Sequence, residues 1–445
     1  MKVYPKYKSS GVELLGEIPS DWVARRLASF GRFSKGSGIS KADLIEEGIP
    51  TILYGDIYTK YNLKAENIFN FISQELASNS KLIDKGDLLF TGSGETREDI
   101  GKCVTYNGDI KVYAGGDIII FSPKTNNHLF LAYSLSSNYA ITVKAMNSRG
   151  DIIVHIYASS LRNIYLPIPS LAEQQQIVNF LDYKTGECDR FISNRQKQIE
   201  LLNEQKAAII NKAVTKGINP NAKMKPSGIE WIGDIPEHWE LWKLKNLLQA
   251  KLKYGANEAA EIDDPNLPRY IRITDFDDDG RLRDDTFKSL PFDVAKEYFL
   301  KDGDILFARS GATVGKTMIF ENYFGNACFA GYLIMARCNP NKILSRFLYY
   351  YTKTPSYENW KTMIFIENTI QNIGADKYSL LPIAVPSVED QQSIIDFIKK
   401  ETSKVETLIS KYQKQIELMQ EYRTALISQA VTGKIDVRDW KPPTK

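Results

Sequence analysis

The sequence predicts an α+β protein written twice: two mixed α/β domains built of short strands and helices, each followed by one long helix that pairs in a coiled coil. Three observations predict it. The hexapeptide Gln196-Lys197-Gln198-Ile199-Glu200-Leu201 recurs as Gln413-Lys414-Gln415-Ile416-Glu417-Leu418, an offset of 217 residues (413 minus 196). The same offset relates further blocks over most of the chain, which marks a duplicated module far longer than the roughly 20–50 residues of a solenoid repeat. Finally, each copy ends in a long helical pattern with apolar residues on a four-three spacing.

In chain order, Ser10-Gly11-Val12-Glu13 followed by Gly16-Glu17-Ile18-Pro19 and Trp22 matches Ser227-Gly228-Ile229-Glu230, Gly233-Asp234-Ile235-Pro236 and Trp239. Lys85-Gly86-Asp87-Leu88-Leu89-Phe90 matches Asp302-Gly303-Asp304-Ile305-Leu306-Phe307, and Glu173-Gln174-Gln175 matches Asp390-Gln391-Gln392. Between these anchors the copies diverge: 56–80 against 274–298, and 104–160 against 318–375, share little beyond size. A kept scaffold with diverged interiors suggests two similar folds that bind different things. Within each copy, Ile52-Leu53-Tyr54, Asp117-Ile118-Ile119-Ile120-Phe121 and Asp304-Ile305-Leu306-Phe307 read as short strands between turn residues. Helices are expected over 128–140 and 343–353.

Each long helix starts after a Pro-x-Pro-Ser or Val-Pro-Ser segment, at Ser170 and Ser387, because proline cannot continue a helix interior and serine caps a new helix. Ile177, Leu181, Cys188, Phe191, Ile199, Leu202, Ile209 and Ala213 form the stripe of the first. Ile394, Ile398, Val405, Leu408, Ile416, Met419, Leu426 and Ala430 repeat it in the second. A helix of this length is a rod of roughly 60 Å. The spacing alone leaves parallel and antiparallel pairing open.

The net charge is +3, from 57 basic and 54 acidic residues, so any nucleic-acid contact must come from a local basic face. Four cysteines and three histidines show no zinc spacing, and free thiols in a reducing cytosol are expected. The N-terminal residues have no signal-peptide core and no apolar run approaches the roughly 20 residues that span a bilayer, so a cytoplasmic protein is expected. Gly311-Ala312-Thr313-Val314-Gly315-Lys316-Thr317 invites a phosphate-loop reading, but it has three residues between its glycines where that motif needs four. Carboxylate-lysine pairs at Asp182-Lys184 and Glu204-Lys206 lie on the long helix, which does not suit a nuclease centre. The only Pro-Pro, Pro442-Pro443, lacks a methyltransferase context, and the histidines form no triad. A non-catalytic protein is expected.

What the sequence offers instead is polar and basic loops at equivalent places. In the first copy these carry Tyr54, Ser93, Thr96, Arg97, Lys102, Asn147, Arg149 and His155; in the second, Arg269, Tyr270, Arg272, Thr274, Arg309, Ser310, Thr313, Lys316, Gln371 and Lys377. Asn368 and Asn372 lie in the same stretch. Arginine and lysine read guanine, asparagine and glutamine read adenine, and glycine turns admit phosphates. For any one of them a plain surface or turn role is the alternative; it is the set that points to DNA.

With these blocks in view, the whole chain resembles the specificity subunit of type I restriction-modification systems. The paired Ser-Gly-Val/Ile-Glu blocks, the Gly-Asp-Leu/Ile-Leu-Phe blocks, Leu166–Gln175 with Val385–Gln392, and the Ala-Val-Thr ends at 213–215 and 430–432 carry the resemblance. It implies target-recognition domains at 1–170 and 217–387, a first conserved helix at 171–216, and a second conserved helix with a C-terminal tail at 388–445, the two helices running antiparallel about an internal pseudo-twofold axis. Each domain would read half of a split double-stranded DNA site, and the helices would set the gap and dock two modification subunits. S-adenosylmethionine chemistry would belong to those partners, ATP and Mg²⁺ to restriction subunits, and no cofactor to this chain. The resemblance departs at Gly94-Glu95-Thr96-Arg97-Glu98-Asp99, which replaces the more typical loop of 311–316. A stand-alone DNA-acting enzyme and a coiled-coil scaffold without DNA are the alternatives.

Overall fold

The computed structural model describes residues 2–277, 280, 282–311, 313–366 and 372–443. It divides into two compact units, Met1–Arg195 with Gln413–Lys445, and Gln196–Tyr412. Each unit therefore takes one α/β domain and a part of both long helices, which span Leu171–Lys216 and Val388–Val431.

In the first unit a five-stranded sheet runs in the order Gly31–Lys35, Ile118–Pro123, Leu88–Thr91, Cys103–Tyr106, Lys64–Ala65, and a four-stranded sheet in the order Asn70–Ile72, Ile49–Ile52, Val112–Ala114, Lys81–Ile83. Helices His128–Leu135 and Asn138–Met146 fall where the sequence expects one. Leu53 and Tyr54 are not strand: the Asp56 carboxylate accepts the Leu53 amide at 2.8 Å and starts a short helix, Tyr54–Thr59.

The second unit repeats the plan. Lys253–Tyr254, Leu333–Ala336, Asp304–Ala308 and Thr317–Phe320 form its larger sheet, and Arg269–Ile271 pairs in parallel with Ala327–Phe329 as Ile49–Ile52 does with Val112–Ala114. The helix expected over 343–353 spans Ser345–Tyr351.

The repeated blocks turn out to be the fasteners of this plan. Gly86 and Gly303 take positive φ of 92° and 87°, which a side chain would strain. The aspartates after them are buried and close the turn, accepting the amides of Asp84 at 3.0 Å and Lys301 at 2.8 Å. Gln174 and Gln391 are buried at the helix starts. Gln174 donates to Pro169 O and accepts from Asn127 N, while Gln391 donates to Pro386 O and accepts from Leu344 N. Each ties the start of a long helix to the segment that opens a helix of its domain.

The helices pair antiparallel in each unit. In the first, Asp189 meets Arg423 at 3.3 Å while Gln176, earlier in the chain, donates to Val437 O and Trp440 O, later in the chain. In the second, Lys206 meets Glu406 at 2.7 Å, and Ile210, Ala213 and Val214 share a core with Ile394, Ile395 and Ile398. By the 217 offset Asp189 corresponds to Glu406 and Lys206 to Arg423. The same ion pair is thus made once in each unit with the roles of the helices exchanged. The stripe is buried at its ends, and Phe191, Ile199, Leu202, Ile209, Leu408, Ile416 and Met419 between are half-buried.

Candidate nucleic-acid interface

Both units build one site in the same way. The central strand of the larger sheet, Leu88–Thr91 or Asp304–Ala308, runs into a loop whose second residue pairs with a segment just before a short helix. In the first unit Ser93 pairs with His155, their Oγ and Nδ1 3.0 Å apart, and Ile156 N donates to Gly92 O at 3.0 Å. In the second, Ser310 bridges to Asn372, and Ile373 N donates to Arg309 O at 2.9 Å. Backbone geometry is kept at 217-residue spacing while the side chains change: glycine to arginine, histidine to asparagine. Asn372 Oδ1 is buried without a hydrogen-bond partner.

Around Ser93 and His155 a cleft of about 690 Å³ is lined by Lys35, Asp117, Tyr157 and Arg162. Beyond Asp117 lies another of about 800 Å³, lined by Lys41, Tyr54, Asp56 and Lys60. Asp56 is buried, neutralised by Lys60 at 2.9 Å and bonded by Asn70; against the exposed Asp117, the three cations Lys35, Lys41 and Arg162 leave this face basic on balance. None of those three stands out by sequence.

Not every residue singled out by sequence reaches this face. Arg97 donates to Gly150 O and Asp151 at 3.3 Å, bracing the 92–101 loop against the turn after Arg149, which is exposed. Thr96 closes a turn on Asp99, and Asn147 caps the helix it ends through Val143 O. Lys102 is half-buried, donates to Tyr58 O at 3.1 Å, and burial lowers its pKa. In the second unit Arg269 is 3% exposed, with its guanidinium on Arg283 O. Tyr270 is buried, donating to Ala256 O and Glu258 O. Arg272 holds Asp275 at 2.7 Å and Thr286 O at 2.9 Å. Thr274 and Thr313 are exposed, Ser310 and Arg309 partly so, and Lys316 and Lys377 are half-buried on the loop and on the helix Ala375–Ser379. Gln371, like Asn368, lies outside the described residues.

One lysine holds the loop from behind. Lys144 is buried and donates to Gly101 O at 2.8 Å and Leu135 O at 3.0 Å. Burial lowers its pKa from 10.5 to about 8. Between those values the unfolded chain binds a proton that the folded chain does not, so its contribution to stability rises with pH across that window and is flat below it. In denaturant titrations from pH 7 to 10, the stability difference between wild type and Lys144→Met should move toward wild type by about 1.4 kcal/mol per pH unit above pH 8. A flat difference would show that the ammonium is not desolvated.

Among the described residues no group of three or more His, Cys, Asp or Glu could hold a metal ion, and no helix is long and apolar enough to cross a membrane.

The sequence profile of the type I restriction modification DNA specificity domain matches twice, at residues 19–201 and 236–418. The chain is 25% identical over 433 residues to the type I restriction enzyme MjaVIII specificity subunit of Methanocaldococcus jannaschii, covering 95% of each. To the StySPI specificity subunit of Salmonella potsdam it is 21% identical over 443 residues, covering 96% of this chain and 91% of that one. A solved chain from work on complex assembly and conformational transition of the type I R-M system superposes with a TM-score of 0.69 at 16% identity, over 94% of this chain and 99% of that one. The matched spans are offset by the same 217 residues as the sites, and so the chain belongs to the type I restriction-modification specificity family, with two copies of its DNA specificity domain.

Proposed function

We propose that this chain is the sequence-reading subunit of a type I restriction-modification complex, in which each unit recognises one part of a bipartite double-stranded DNA site and the paired helices fix the spacing. The observation that carries this is the duplicated site with exchanged side chains: identical fasteners present Gly92 and His155 in one unit, and Arg309 and Asn372 in the other. A scaffold kept twice while its presented groups differ is what two unlike half-sites require. The half-buried middle of the helical stripe, with exposed Leu201 and its repeat Leu418, suits docking of two modification subunits at equivalent surfaces. Methyl transfer from S-adenosylmethionine is assigned to those subunits, and ATP- and Mg²⁺-dependent cleavage to restriction subunits. This chain supplies sequence choice and assembly.

The test is co-expression with a modification subunit and then genome-wide mapping of methylated adenines. A split motif with a fixed gap is expected; absence of any bipartite motif would overturn the proposal. Purified chain alone with DNA, Mg²⁺ and S-adenosylmethionine should show no turnover, and binding in a mobility shift should weaken steeply with salt, as phosphate contacts require.

The helices as a spacer make a quantitative expectation. Seven residues added to both at matching points preserve the stripe and lengthen the rod by about 10 Å. At roughly 3.4 Å per base pair that is a gap longer by about three base pairs, with both half-motifs intact. An unchanged gap in the mapped motif would remove the ruler from the proposal.

A further inference from the structure

Resting on that reading, we propose that Arg309 reads a guanine in the half-site recognised by the second unit. Among the described residues of 217–387 there are arginines at 269, 272, 283, 309, 337 and 346. Five face a carboxylate: Arg269 lies 4.0 Å from Asp284, Arg272 pairs with Asp275, Arg283 with Asp285, Arg337 with Asp304 and Arg346 with Glu321. Arg309 alone among them has neither an ion pair nor a side-chain hydrogen bond. Its guanidinium instead lies over the Tyr254 ring, 4.8 Å from its centre.

That contact is well anchored. The Arg309 backbone is held on both sides, donating to Tyr332 O at 3.0 Å and accepting from Ile373 N at 2.9 Å. Tyr254 sits on a sheet-edge strand, and its hydroxyl accepts the Ala375 amide at 2.9 Å, fixing the ring. A guanidinium held over a ring and not on a carboxylate keeps N–H donors available, and restricting it in advance lowers the entropy lost on binding. Guanine presents two acceptors, O6 and N7, at the spacing of that donor fork. Tyr332, whose carbonyl holds the Arg309 amide, is itself 66% exposed and lines a neighbouring cleft with Asn257 and Thr274. The first unit cannot make this contact, since Gly92 occupies the equivalent place.

The test uses the complex co-expressed with a modification subunit. The wild-type motif should contain a G·C pair in its second half, and Arg309→Ala should become indifferent to base identity at that pair alone, with the first half unchanged. On duplexes carrying 7-deazaguanine there, which lacks the N7 acceptor, the wild-type complex should bind roughly tenfold more weakly than on guanine. The Arg309→Ala complex should not distinguish the two duplexes. Tyr254→Ala should erode the same discrimination with Arg309 intact, while Tyr254→Phe, which loses the Ala375 amide bond but keeps the ring face, should retain most of it. A uniform loss of affinity across all sequences, with a salt slope reduced by about one, would mark a phosphate contact and overturn the inference. So would a second half lacking any G·C pair, or an unchanged motif, while the bipartite function stands. A wild-type complex yielding no bipartite motif overturns the function and this inference with it.

Discussion

Replacing residues 217–387 with the corresponding stretch of another specificity subunit should rewrite one half of the methylated motif completely and leave the other half and the gap as they were. The expectation comes from where the variable groups sit. Arg309, Ser310 and Asn372 all lie inside that stretch, while Ser93, His155, Lys35 and Arg162 lie outside it. The junctions decide whether the hybrid folds. Ile210, Ala213 and Val214 before the exchanged stretch, and Ile394, Ile395 and Ile398 after it, are buried in one core with Ile232, Ile235, Trp239 and Phe347 within it. Gln391 needs the Leu344 amide and Lys342 carbonyl from the incoming segment. A donor that supplies apolar residues at those positions should give a soluble hybrid; one that puts a polar group at position 239 or 347 should not. Methylome mapping of the hybrid reads the outcome, and a motif altered in both halves would show that the two units do not read independently.

The second large effect concerns the tryptophans of the repeated blocks. Trp22 and Trp239 are each 1% exposed. Trp22 packs edge-on to Tyr4 and against Gly433 at the end of the second long helix; Trp239 packs on Phe347 and against Gly217 at the end of the first. Truncating a buried tryptophan to alanine costs about 3–5 kcal/mol through lost transfer energy and the cavity left behind. Trp22→Ala should therefore lower amide protection in 1–195 and 413–445 and spare 196–412, and Trp239→Ala should do the reverse. Equal loss of protection in both units from either substitution would show that they unfold as one.

The duplication, both long helices and the proline-serine starts were legible because they rest on periodicity and on spacing along the chain, which sequence carries directly. The individual contact residues were legible only in part. Arg269-Tyr270 alternates basic and aromatic character like a nucleic-acid strand, yet both residues are buried. Residue type does not reveal which strand faces are covered, and Arg283 O, Ala256 O and Glu258 O supply the partners from distant loops. Arg309 was legible because it follows a strand with a clear apolar pattern. Tyr254, which orients it, was not: the edge strand Lys253–Tyr254 is two residues long and has no pattern of its own. Arg162 comes beside Lys35 only through strand pairing across a long sequence separation.

The two units also differ in how the chain threads them. Gln196–Tyr412 is continuous, whereas the other unit needs residues from both sides of it: Lys2 meets Asp439 at 3.1 Å, and Leu426, Ile427, Ala430 and Val431 join the core of Trp22 and Ile177. During synthesis the half translated second is therefore the first that can close. The half translated first must wait, with its apolar helix face uncovered, until residues 413–437 emerge. Holding that early segment soluble is a demand on the cell's folding machinery that falls on one half of the recognition site and not on the other.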